Sequence, residues 1–126
     1  MSMRTPLKNA RYLGSAKEGA DHFWKQRVTG LANLFLGLFL VWLIASLVGA
    51  DHAAVKARLA HPLIALALLA LIVSGAIHMR LGMQTIIEDY VHHEGGKLLL
   101  LMANTFFAAF IALASVYAIL KLSFGV

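Results

Sequence analysis

The sequence predicts an all-α integral membrane protein with three transmembrane helices and a short amphipathic N-terminal segment, and three observations lead there. The 126 residues are 60% hydrophobic and only 13% charged, against roughly half apolar in a typical soluble domain. The apolar residues gather into three runs, each long enough for a helix to cross the roughly 30 Å hydrocarbon core and too long for barrel strands. The charged residues stand almost entirely before and between those runs.

Taken in order, residues 1–27 form a polar, basic segment that carries Arg4, Lys8, Arg11, Lys17, Lys25 and Arg27 against Glu18 and Asp21. It lacks the apolar centre and small-residue cleavage site of a secretory signal peptide. Asp21 to Arg27 reads as an amphipathic entry to the membrane, with Phe23 and Trp24 at headgroup level and Lys25 and Arg27 reaching for water. The first span covers residues 28–49 without a charge, and at 1.5 Å per residue it reaches roughly 33 Å. Asp51 to His61 is a short polar connection, and Pro62 suits the first turn of the next helix, where its missing N–H costs nothing.

The second span runs over about 63–87. Its first half is almost pure Leu, Ala and Ile, and its second half holds His78 and Arg80. Glu88 to Lys97 reads as a ten-residue connection with Gly95-Gly96 as a flexible end. The third span, about 98–120, has Asn104, Thr105, Ser115 and Tyr117 as its only polar side chains. The whole chain, 1–126, is then one membrane domain.

The formal net charge is +5, yet six of the eleven Lys and Arg residues fall within the first 27 positions. That distribution is an orientation signal, and it argues against a nucleic-acid partner. Three spans put residues 1–27 and the second connection on one side with eight cations, and the first connection and C-terminus on the other with three. The N-terminus is therefore expected on the cytoplasmic side and the C-terminus on the periplasmic side. The chain has no cysteine, which excludes a disulfide framework, a thiolate metal site and an iron–sulfur cluster held by this chain alone.

His78 is the residue around which function is organised. A histidine within a hydrocarbon-facing segment is costly unless partnered, and so marks a functional site. Ser74, Gly75 and Gly82 lie on its side of the helix and leave a flat slot beside it. The slot suits a second helix packed through small residues or a flat porphyrin. The imidazole itself suits a hydrogen bond to a neighbouring helix, a haem iron or a proton relay. His22, His52, His61, His92 and His93 all lie at or beyond the span ends. His61 precedes His78 by 17 residues, about 25 Å along a helix. A bound haem would thus take its second axial ligand from a partner subunit or a symmetry mate.

Tyr90 and Asp89 follow roughly 18 Å further along a continuous helix. They read either as a solvated interface turn or as a quinone pocket, with the phenol hydrogen-bonding a carbonyl and the carboxylate nearby for protons. Glu88 and Asp89 near a helix C-terminus oppose the helix dipole unless a cation compensates. Arg80 is expected to reach to the interface, with a haem propionate or a partner carboxylate as the alternative. His22 and Arg27 are interface anchors or anion contacts.

The run His78-x-x-x-Gly82-Met83-x-x-x-x-x-Asp89-Tyr90-Val91 resembles the hydrophobic membrane anchor subunit family of succinate dehydrogenase. His22-Phe23-Trp24-x-x-Arg27 and the three-span layout are similar to the same family. Gly14-Ser15-Ala16-Lys17-Glu18-Gly19 and Leu120-Lys121-Leu122-Ser123-Phe124 look like its alphaproteobacterial members in particular.

The resemblance implies that His78 is an axial ligand of a b-type haem shared with a cytochrome b anchor subunit. It implies that Tyr90 hydrogen-bonds ubiquinone with Asp89 beside the pocket, and that His22, Arg27 and Arg80 are candidate propionate or interface contacts. Succinate oxidation, a step of the tricarboxylic acid cycle, would occur on a flavoprotein subunit and pass electrons through an iron–sulfur subunit. This chain would have no catalysis of its own and would sit in a bacterial inner membrane. Glu88 stands where many relatives have Thr. A fumarate reductase anchor with the same architecture and a cofactor-free membrane adaptor are the competing readings.

Overall fold

A computed structural model describes residues 6–7 and 18–125. Four helices occupy residues 19–124: α1 (Gly19–Ser46), α2 (His52–Leu59), α3 (Pro62–Tyr90) and α4 (Glu94–Phe124). The described residues contain no strand, and α1, α3 and α4 are each long and apolar enough to cross a membrane. Arg4, Lys8, Arg11 and Lys17, which dominate the orientation argument, lie outside the described residues.

α1 begins nine residues before the apolar run, because its amphipathic entry has local reasons to be helical. Lys25 pairs with Asp21 one turn earlier, and the Arg27 guanidinium lies 3.7 Å over the Phe23 ring, also four residues away. The helix ends as Ser46 Oγ donates to the Leu43 carbonyl at 2.7 Å. Gly49 then takes φ +79°, a left-handed turn that a side chain would strain. The connection read as polar loop is mostly α2. Its start is capped by Asp51, which accepts from the Ala54 amide at 2.8 Å. Pro62 occupies the first turn of α3, where its missing donor does no harm.

The second connection is shorter than its composition suggests. α3 continues through Glu88, Asp89 and Tyr90, and α4 begins at Glu94, leaving only Val91 to His93 outside the helices. Gly95 and Gly96 lie in the first turn of α4 rather than in a flexible link, and His93 Nδ1 caps that turn by accepting from the Gly96 amide at 3.1 Å. The unfavourable meeting of two acids with a helix C-terminus is relieved by a cation from the next helix. Lys97 Nζ donates to the Glu88 carbonyl at 3.0 Å.

α3 is the middle of the row. α1 and α4 both pack along it rather than along each other. The core is accordingly thin, consisting of Leu43, Ala65, Leu81, Ile87 and Ala108. The chain exposes 9640 Å², whereas a soluble monomer of its mass would expose roughly 6,600 Å². Two broad apolar faces are left over, one on each side of the row. Lipid or other subunits must cover them.

Candidate functional site

α3 delivers His78 against α1, not against lipid. The imidazole is half-buried, and its Nδ1 lies 3.1 Å from Thr29 Oγ1. Thr29 carries a single hydroxyl hydrogen, and the Lys25 carbonyl one turn back claims it at 2.6 Å. Two oxygens cannot approach so closely without a hydrogen between them, so the hydroxyl has only lone pairs to offer His78. That acceptor suits the imidazole tautomer that carries its proton on Nδ1. Among the described residues Nε2 has no hydrogen-bond partner, and it is not sealed from its surroundings.

The neighbours of this pair come from both helices. Ser74 Oγ, one turn before His78, donates to the Thr29 carbonyl at 3.3 Å. Gly30 lets the ring lie against the α1 backbone: a Cβ there would fall 3.3 Å from His78 Cε1 and 3.7 Å from Nδ1. Gly82 does the same for Gln26, whose Nε2 would be 3.3 Å from an added Cβ. Gly75, by contrast, has nothing within 4 Å of its Cβ position, so the slot beside it is open. Three atoms of α1, His22 Nε2, Gln26 Oε1 and Asn33 Oδ1, are buried with no hydrogen-bond partner among the described residues. Their spacing places them on the Thr29–Gly30 side of the helix.

The other sequence candidates are distributed around α3. Asp89 follows His78 by three turns and is offset from it by only about 20°, so it shares the side turned to α1. Tyr90 is offset by about 120° and falls on the stripe of Met79, Met83 and Ile86, one of the broad faces. It is 78% exposed, so any pocket that includes it needs atoms from outside this chain. No hydrogen bond joins Asp89 to Tyr90 among the described residues. Glu88 accepts from Gln84 Nε2 at 2.8 Å.

Arg80 turns the other way. Its Nε donates to Thr105 Oγ1 at 3.3 Å, and its carbonyl accepts from Asn104 Nδ2 at 2.9 Å. These two contacts explain both polar residues near the start of the third span. Arg80 also borders a furrow of about 500 Å³ between α1 and α3, lined with Trp24, Lys25, Val28, Thr29, Ile77 and Leu81. His22 is half-buried and faces the α1–α3 seam, whereas Arg27 is exposed and stacked on Phe23. The structure does not bring these two together. No group of three or more His, Cys, Asp or Glu that could hold a metal occurs among the described residues.

Residues 1–113 match the family described as "Succinate dehydrogenase/Fumarate reductase transmembrane subunit". The chain belongs to that family. Its relatives include the succinate dehydrogenase hydrophobic membrane anchor subunit of Paracoccus denitrificans, 31% identical over 121 residues, covering 96% of this chain and 93% of the relative. Proteins of the same name from Rickettsia bellii and Rickettsia conorii are 28% and 32% identical, over 92% and 82% of this chain and 93% and 83% of theirs. No solved structure matches. The family match takes in α1 to α3 whole and most of α4, so the seam that holds His78 lies inside it. The expected likeness to alphaproteobacterial members holds as well.

Sequence reasoning missed Thr29, Gly30, Gln26 and Asn33. Their signal was present as a polar and small stripe at helical spacing, with Gln26 just before and Thr29, Gly30 and Asn33 inside a run rich in Leu.

Proposed function

We propose that this chain is the hydrophobic anchor of a succinate:quinone oxidoreductase of the bacterial inner membrane, with its N-terminus cytoplasmic and its C-terminus periplasmic. It contributes one axial ligand, His78, to a b-type haem and one wall of a ubiquinone site through Tyr90, with Asp89 beside it. The observation that carries the reading is the setting of His78: Nδ1 lies 3.1 Å from Thr29 Oγ1, which donates to the Lys25 carbonyl, and Nε2 has no hydrogen-bond partner among the described residues. A histidine that ligates iron through one ring nitrogen has the other nitrogen bonded to an acceptor in this way.

The surroundings fit a porphyrin. The open slot beside Gly75 offers a flat approach to α3, and His22 Nε2 is a buried polar atom with no hydrogen-bond partner among the described residues. His78 would hold the iron, and His22 would meet an anionic edge group. The haem, when bound, supplies a one-electron relay. Every other contribution is positional. Thr29 orients the ring, Gly30 lets it recede against α1, and Ser74 ties the Thr29 carbonyl to α3.

At the cytoplasmic end the Tyr90 hydroxyl, which makes no hydrogen bond among the described residues, would donate to a quinone carbonyl, and Asp89 one residue earlier would exchange protons with water. The exposure of Tyr90 and the lack of a second imidazole at the depth of His78 both require partners. A cytochrome b anchor subunit supplies the other ligand. An iron–sulfur subunit docks on the cytoplasmic end and delivers electrons from a flavoprotein.

Affinity purification of the tagged chain from membranes tests this reading. The expected result is co-purification of a flavoprotein, an iron–sulfur protein and a second membrane subunit, with a b-type haem spectrum. A chain recovered alone, or with partners that lack flavin and haem, would establish the cofactor-free adaptor instead.

A further inference from the structure

We propose that Thr29 is a positioning residue for His78: by accepting the Nδ1 proton it fixes the tautomer and sets how strongly Nε2 donates to whatever it binds. The inference rests on the reading of His78 as a haem ligand and assigns a role to a residue of a different helix.

Thr29 Oγ1 lies within bonding distance of Lys25 O at 2.6 Å, Gln26 O at 3.3 Å and His78 Nδ1 at 3.1 Å. Two of these neighbours are carbonyl oxygens that can only accept, and the hydroxyl has one hydrogen. Its donation to the α1 backbone is secured by geometry internal to that helix. The hydroxyl is consequently a committed acceptor toward α3 before the imidazole arrives. A serine in the same place would do the same. Valine, of the same shape, would leave the Nδ1 proton unpaired in a half-buried, apolar setting.

The bond matters because a ring that donates from one nitrogen becomes a better electron donor at the other, and because it fixes the plane in which the ring stands. Two further contacts show that the seam is built around this one residue. Ser74 Oγ bonds the Thr29 carbonyl at 3.3 Å, so one turn of α3 grips both ends of Thr29. The adjacent Gly30 then lets the ring lie within 3.3 Å of where a Cβ would stand.

The test uses the assembled complex with Thr29→Val and Thr29→Ser, each measured for haem retention and for the haem reduction potential by redox titration. Thr29→Val is expected to weaken haem retention by roughly 10–100-fold, and to raise the potential of the haem that remains, since a less electron-rich ligand stabilises the oxidised iron less. Thr29→Ser is expected to restore both. A purely structural threonine would lower the yield of complex in Thr29→Val while leaving the potential of the remaining haem at the parent value, and that result overturns the proposal. Thr105→Val, which removes a hydroxyl bonded to Arg80 on the opposite side of α3, serves as the control and should leave the potential unchanged. His78→Ala in parallel separates the two ideas. Haem lost or shifted to a high-spin form there but unaltered in Thr29→Val refutes the role of Thr29 alone, whereas haem with parental bands in His78→Ala refutes the ligand assignment and the role of Thr29 with it.

Discussion

Gly30 offers the sharpest perturbation of the site, because it presses on the His78 ring without changing any side chain that would bind haem or quinone. An alanine Cβ there would meet Cε1 at 3.3 Å and Nδ1 at 3.7 Å, so the ring must retreat by a few tenths of an ångström. The Thr29–Nδ1 contact is already 3.1 Å, near the upper end of good N–H···O geometry at about 3.2 Å. A larger side chain tilts the ring off its preferred rotamer, at about 0.5–1.5 kcal/mol, and breaks that bond at a further cost of about 0.5–1.5 kcal/mol. Replacing a mid-helix glycine gains back about 0.8–1.0 kcal/mol of helix propensity. Gly30→Ala should therefore be close to neutral for folding and Gly30→Leu only mildly destabilising, while both displace the imidazole. The assay is the ratio of haem to flavin in the purified complex, together with the haem absorption spectrum. Gly30→Ala is expected to retain part of the haem with an altered spectrum, and Gly30→Leu to lose most of it. Gly37→Ala, on the same helix with nothing within 4 Å, should match the parent. Full haem and an unchanged spectrum in Gly30→Leu would refute the packing argument.

Three further outcomes are expected. Tyr90→Phe should leave assembly and succinate oxidation with an artificial dye intact while slowing reduction of a soluble ubiquinone analogue by roughly two- to tenfold, the equivalent of one neutral hydrogen bond; equal turnover would remove Tyr90 from the site. Asn104→Ala deletes the bond to the Arg80 carbonyl and should destabilise the α3–α4 pair by about 0.6 kcal/mol, at most about 1.7 kcal/mol, seen as a small drop in the melting temperature of the detergent-solubilised complex. Gly75→Leu fills a space that is open in this chain alone. It should be tolerated by the isolated chain and yet deplete haem from the complex, and haem at parental levels would show that nothing flat lies against that face.

How much of this was legible in the sequence depends on what each feature answers to. The three long helices were legible because a run of about twenty apolar residues admits no other structure in lipid. Their ends were not, because hydropathy marks where hydrocarbon begins and hydrogen bonding marks where a helix begins. α1 extends back to Gly19 on the strength of the Asp21–Lys25 pair and the Arg27–Phe23 stack. α3 runs on through two acids because Lys97, from the next helix, satisfies a carbonyl of its last turn. His78 announced itself by its cost in an apolar run. Thr29 did not, since a threonine in such a run bonds its own backbone and costs little; only its meeting with His78, 49 residues away in the chain, makes it matter. The same holds for Asn104 and Thr105, whose polarity was visible but whose partner, Arg80, was fixed only by the packing of α3 on α4. Asp89 and Tyr90 were found together as neighbours in sequence, yet a helix sends them about 100° apart, toward α1 and toward the open face respectively.

The account turns on whether Nε2 of His78 binds iron. The direct measurement is the reduced-minus-oxidised spectrum of membranes holding the complete complex with His78→Ala beside the parent, with flavin content as the gauge of assembly. The account predicts that the b-type haem bands are lost or shifted to a high-spin form in the variant at unchanged flavin. Bands of parental position and intensity in His78→Ala would contradict it.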